Sequence, residues 1–128
     1  MAVRIVRLGS PRHANEGLRI GTVRRPPRGV PKERFAADNW YDVWFPNLAP
    51  SAELMKVGQT ASSESAWQTF AKKYRAEMSA ADAGRTLDVL AALSHGASFS
   101  VGCYCDDESR CHRSVLRQLL VERRAKVL

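Results

Sequence analysis

Val101-Gly102-Cys103-Tyr104-Cys105-Asp106-Asp107-Glu108-Ser109-Arg110-Cys111-His112-Arg113 is the stretch on which the fold turns. Leading into it, Phe99, Val101 and Cys103 alternate with Ser98, Ser100 and Gly102, and this period of two predicts a strand over Ser98 to Tyr104. Asp106 to Arg110 is polar and reads as a loop. Val115, Leu116, Leu119 and Leu120 then recur at helical spacing, which predicts a final helix from about Cys111 to Arg124. In open α/β sheets, ligands bind beyond the carboxyl ends of strands, and helix N-termini present free N–H groups and partial positive charge. A strand, a short loop and a helix start in that order therefore predict an α/β sheet and place a pocket at this junction.

Working outward, Val3, Ile5 and Val6 form a β-prone segment closed by Gly9, Ser10 and Pro11. His13 to Gly17 reads as a polar loop and Leu18 to Val23 as a second strand. The run Arg25-Pro26-Pro27-Arg28-Gly29-Val30-Pro31 suits neither sheet nor helix, because its prolines lack donors and fix φ, so it is a stiff loop. Asn39 to Pro46 gathers Trp40, Tyr41, Trp44 and Phe45, and a short helix is expected from Ser51 to Val57. From Glu64 to Met78, Trp67, Phe70, Ala71, Tyr74 and Met78 share one helical face. A further helix is expected to start with Asp82 as N-cap, carry Leu87, Leu90 and Ala91, and stop at Gly96. The order of elements predicts a small single-domain α/β fold over residues 1–128, with a mostly parallel sheet of two or three placed strands flanked by helices.

The 128 residues and 14.2 kDa allow one compact domain. With 45% hydrophobic and 26% charged residues, the composition excludes a mainly disordered, collagen-like or disulfide-scaffold protein. The longest apolar run, Val89 to Leu93, is far short of the ~20 residues a membrane helix needs, and Arg4 and Arg7 interrupt the segment where a signal peptide would be apolar. Three cysteines crowded between Cys103 and Cys111 cannot all pair, which suits a reducing compartment. A cytoplasmic protein without membrane association is expected; oligomeric state has no signal in the sequence. The net charge of +7 is uneven: residues 1 to 34 hold nine Arg/Lys against two acids, residues 35 to 109 five against ten, and residues 110 to 128 six against one. Basic ends that meet in the fold would attract phosphate.

Cys111 beside Arg110, His112 and Arg113 at a helix start has a setting that stabilises a thiolate, which Asp106, Asp107 and Glu108 would oppose. Glu108 or Ser109 is expected to cap the helix. Cys103, Cys105, Cys111 and His112 are zinc-ligand types, yet Cys-x-Cys-x5-Cys-His is not a common finger spacing, so neither metal nor cofactor is assigned. Cys105 precedes Arg110 by one residue too few for the Cys-x5-Arg of a thiol phosphatase, and a Cys105–Cys111 disulfide is disfavoured in a reducing compartment. Arg24, Arg25 and Arg28 lie on the proline-stiffened loop, where guanidinium groups grip an anion at reduced entropic cost. Trp40, Tyr41 and Trp44 offer stacking surfaces, although core packing is the commoner use of such residues. The expected site has His112 and Cys111 as candidate catalytic groups, with Arg24, Arg28, Gly29, Tyr104 and Arg113 binding a nucleotide or another phosphorylated ligand. His112 is chosen as acid or base because imidazole titrates near neutrality. Whether the pocket acts on its ligand or only binds it stays open. The alternatives are a non-enzymatic nucleic-acid-binding module using the basic ends, and a thiol redox or metal module.

The Cys-Tyr-Cys-(x5)-Cys-His-Arg-Ser-Val-Leu segment from Cys103 to Leu116, the Pro27-Arg28-Gly29 turn and the spacing of Trp40, Phe70 and Tyr74 resemble the bacterial domain of unknown function family 488, in its YeaO-like branch. The resemblance runs over roughly residues 3 to 121 and is most specific at Arg24 to Gly29 and at Cys111-His112-Arg113. It implies a Rossmann-like α/β domain and no established activity. YeaO-like members usually read Asp-Arg-Leu-Trp-Pro-Arg-Gly at the turn. Here Val23 stands for the Asp and Arg25-Pro26 for Leu-Trp, while Arg24, Pro27, Arg28 and Gly29 match.

Overall fold

The structure, a computed structural model, describes residues 1–128. Its strands are β1 (Val3–Arg7), β2 (Leu18–Gly21), β3 (Val43–Trp44) and β4 (Phe99–Cys103), and its helices are α1 (Ala52–Thr60), α2 (Glu64–Met78), α3 (Ala81–Leu93) and α4 (His112–Glu122). The sheet order is β1-β4-β2-β3 and every pairing is parallel, with Val3 and Leu18 both opposite Phe99 and Gly21 opposite Gly102. All five residues of β4 are buried, as befits a strand paired on both sides and covered on both faces.

The two faces are built differently. Val3, Phe99 and Val101 join Leu54, Trp67, Phe70, Tyr74, Met78, Leu87, Leu90, Val115, Leu116, Leu119 and Leu120 in one apolar cluster to which all four helices contribute. Of the α2 positions singled out by their spacing, Trp67, Phe70, Tyr74 and Met78 are buried and Ala71 is half-buried against them, and Tyr74 satisfies its hydroxyl by donating to Leu48 O at 2.6 Å. On the other face, Ser100 and Arg19 alternate away from the helices and meet Glu16, from the loop that joins β1 to β2. Arg19 is fully buried; its Nε and Nη2 donate to the two Glu16 oxygens at 2.6 and 2.9 Å, and its Nη1 donates to the carbonyls of Ser10 and Asn39 at 2.9 and 2.8 Å. One guanidinium thus ties both irregular segments of that face to β2. No helix is long and apolar enough to cross a membrane.

Several expected boundaries shift for local reasons. The second strand ends at Gly21 because Thr22 directs both its amide and its hydroxyl to Gly102 O, which closes the ladder. The fourth strand, Val43–Trp44, lies in the aromatic segment and is too short to show a period. The expected short helix is longer, Ala52–Thr60, with Ser51 as cap: its hydroxyl accepts from Leu54 N. In α3 the N-cap is Ala80, without a side-chain bond, and Asp82 sits inside the first turn, where a carboxylate still suits the helix dipole. The last helix starts at His112 with Cys111 as an N-cap whose side chain makes no cap bond, and the expected caps are engaged elsewhere, Glu108 with Arg117 and Ser109 with Asp107.

Candidate functional site

The carboxyl ends of β1, β2 and β4 open onto one cleft of about 1540 Å³, roofed by the Arg24–Arg28 turn and walled by α1 and α2, with the start of α4 at its floor. Six cationic side chains line it, Arg7, Arg24, Arg25, Arg28, Lys56 and Arg110, and no acidic one does. Arg7 pairs with Asp106 at 2.5 Å and Arg110 with Glu64 at 3.0 Å, while Arg24, Arg25, Arg28 and Lys56 make no ion pair.

The turn is held rather than loose. Arg24 donates from Nε to Pro50 O at 2.9 Å and from Nη2 to Ala49 O at 3.2 Å. The Tyr104 hydroxyl donates to Arg25 O at 2.9 Å, and Trp44 Nε1 to Val23 O at 2.8 Å. Arg25 and Arg28 are exposed beside these anchors, so their guanidinium groups face the cleft without partners of their own. Trp40 is half-buried against Gly9 and meets Tyr104 edge-on at 5.8 Å, which forms an aromatic corner of the cleft.

The floor is a cluster of sulfur and imidazole. His112 is buried, and its Nε2 stands 2.8 Å from Thr22 O; a carbonyl only accepts, so the proton is assigned to Nε2 and the lone pair to Nδ1. Nδ1 lies 3.7 Å from Cys111 Sγ. Burial lowers the imidazole pKa to about 4, against the opposing pull of the Thr22 carbonyl, so the ring is neutral near pH 7. Cys103 and Cys111 are buried and Cys105 is exposed. The Cys103 and Cys111 thiols stand beside Cys105 and hold its pKa well below the ordinary thiol range, with His112 and Arg113 adding to the effect. The same contacts and burial push Cys111 far up, and Cys103 rises as well, led by its contact with Cys105. The acids that would oppose a thiolate are turned away, Asp106 to Arg7, Asp107 to Ser109 and Glu108 to Arg117.

Of the residues named from sequence, Arg24, Arg28, Tyr104, Cys111 and His112 line the cleft together. Gly29 and Arg113 do not. Gly29 has φ +71°, the left-handed region that suits glycine, with open space around it. Arg113 is buried under the floor and donates from Nη2 to Cys105 O at 2.7 Å. The titration of two of these groups is shifted. His112 has both ring nitrogens engaged and is neutral rather than poised near pH 7. Burial and the neighbouring thiols raise the pKa of Cys111, while the same neighbours lower that of exposed Cys105. Sequence reasoning missed Arg7, Lys56 and Arg110 as lining residues. Arg7 carried a usable signal, since the last residue of a strand in a parallel sheet points toward the ligand crevice; Lys56 carried none.

The all-parallel sheet with a crevice at its carboxyl edge places the chain among small Rossmann-like α/β proteins. It belongs to domain of unknown function family 488: a family model described as "Active DUF488-N3 subclade" matches residues 3–124. That description names the N3 subclade and not the YeaO-like branch that the turn resembles. No curated protein and no solved structure matches the chain.

Proposed function

We propose that the protein binds a phosphorylated small molecule, a mononucleotide in the first instance, in this cleft. The observation that carries the assignment is the lining: six cations, no acids, and four of the cations without a counter-ion. A dianionic phosphate supplies that charge, and the forked donors of Arg25 and Arg28 suit its oxygens. The start of α4 adds to the attraction through the partial positive charge of its N-terminus, which no side chain caps. Trp40 and Tyr104 offer a ring surface on which a nucleobase stacks, a contact worth about 1 to 3 kcal/mol. Free thiols crowded at the floor fit a reducing compartment, and we infer a cytoplasmic location from them.

Isothermal titration of the full chain tests this with adenosine monophosphate and with adenosine as the uncharged control. Adenosine monophosphate binds and adenosine binds much more weakly. Arg25→Ala combined with Arg28→Ala weakens the nucleotide at least about tenfold, because each lost charge-assisted bond is worth about 1.5 to 3 kcal/mol. Absence of binding by the native chain, or equal affinity in the double variant, rejects the assignment.

A further inference from the structure

The floor of the cleft carries a second feature that does not depend on the arginine turn. Cys103 Sγ, Cys111 Sγ and His112 Nδ1 are all buried and lie within 4.8 Å of one another. Around a tetrahedral zinc ion, with Zn–S about 2.3 Å and Zn–N about 2.0 Å, neighbouring ligand atoms stand about 3.5 to 3.8 Å apart. The 3.7 Å between Cys111 Sγ and His112 Nδ1 already matches, and the separations to Cys103 Sγ, at most 4.8 Å, need about 1 Å of contraction. The imidazole is set for ligation: Thr22 O holds Nε2–H at 2.8 Å and turns the Nδ1 lone pair toward the thiols, the outer-shell arrangement that orients metal-bound histidines.

Arg113 makes an independent case. Its side chain is only 4% exposed, it makes no ion pair, and its Nε has no hydrogen-bond partner. A buried guanidinium without a counter-charge is costly, and this one sits directly beneath the sulfur cluster, bonded to Cys105 O. Three thiolates and one neutral imidazole around a divalent cation carry a net charge of −1, the charge that Arg113 lacks.

We propose that Cys103, Cys105, Cys111 and His112 form a binding site for a thiophilic divalent cation, zinc in the first instance, with exposed Cys105 closing the tetrahedron on the cleft side. Each cysteine binds as thiolate, and any that still holds its proton releases it to solvent; no electron is transferred. The ion would tie the end of β4 to the start of α4.

The reduced, chelator-stripped full chain is titrated with Co²⁺ and then with Zn²⁺. One equivalent of Co²⁺ gives thiolate charge-transfer absorption and the intense visible bands of tetrahedral cobalt, which Zn²⁺ bleaches. Cys105→Ser, at an exposed position, weakens the metal at least about tenfold and reduces the charge-transfer intensity. Arg28→Ala leaves the titration unchanged, which separates this site from anion binding. Zinc also slows the reaction of the thiols with Ellman's reagent until chelator is added. Absence of tetrahedral bands in the native chain, Cys105→Ser titrating like the native chain, or thiols reacting equally fast with and without zinc overturns the site.

Discussion

Glu16 shares both of its carboxylate oxygens with Arg19, takes a further bond from Ser100 Oγ at 2.6 Å and has almost no contact with water. Burial alone would raise its pKa, but the bonds from Arg19 and Ser100 outweigh it and bring the carboxyl down to about 2 from an ordinary 4.5. The folded value lies below the unfolded one, so the stabilisation is complete above about pH 4.5 and is lost as pH falls toward 2. Glu16→Gln leaves Arg19 buried without a counter-charge and is expected to cost about 3 to 5 kcal/mol in urea unfolding at pH 7. The acid dependence of the urea midpoint should also flatten between about pH 5 and 2.5 in that variant. A full native midpoint at pH 7 would contradict the role given to the pair. Nothing in the sequence distinguished Arg19 from the other basic residues of the first 34, because its burial depends on which carbonyls the two loops bring to it.

At the scale of the element, α2 and α4 were legible because each buries one continuous face, and a face repeats along the sequence at the helical period. β4 was legible from its alternation, although the small residues of that alternation turned out to face the loops rather than water. β3 was not, since two residues carry no period, and the start of α3 was displaced because Ala80 enters the helix without any side-chain cap. Gly21 of β2 shows what the sequence leaves silent: a Cβ there would stand 2.4 Å from Tyr41 Cδ2. Gly21→Ala is therefore expected to destabilise by about 1 to 3 kcal/mol, read from thermal or urea unfolding, and an unchanged midpoint would show that Tyr41 moves aside freely. At the strand end, Tyr104→Phe removes the bond that anchors Arg25 O. It should weaken adenosine monophosphate severalfold, in keeping with about 0.5 to 1.5 kcal/mol for one hydrogen bond, while leaving stability within about 1 kcal/mol. Full affinity in that variant would mean that the turn is stiff enough without its anchor.

Across the whole molecule, the uneven charge of the chain becomes a local field. The basic first 34 residues supply Arg7, Arg24, Arg25 and Arg28 to the cleft, the last segment supplies Arg110, and the acidic middle contributes Lys56 and none of its acids. That convergence was partly readable, since a strand–loop–helix junction and a stiff arginine turn were each visible, and parallel topology brings strand ends to one edge. The chemistry of the floor was less so: whether a thiol's pKa falls or rises depends on its burial and its neighbours, and residue order does not encode this. The central claim is that negative charge is received between the arginine turn and the start of α4. Two-dimensional amide NMR of the labelled full chain, titrated with adenosine monophosphate, tests it most directly. Shifts should concentrate in residues 23–28 and 104–113; no shifts, or shifts confined to the outer faces of α3 and α4, would contradict it.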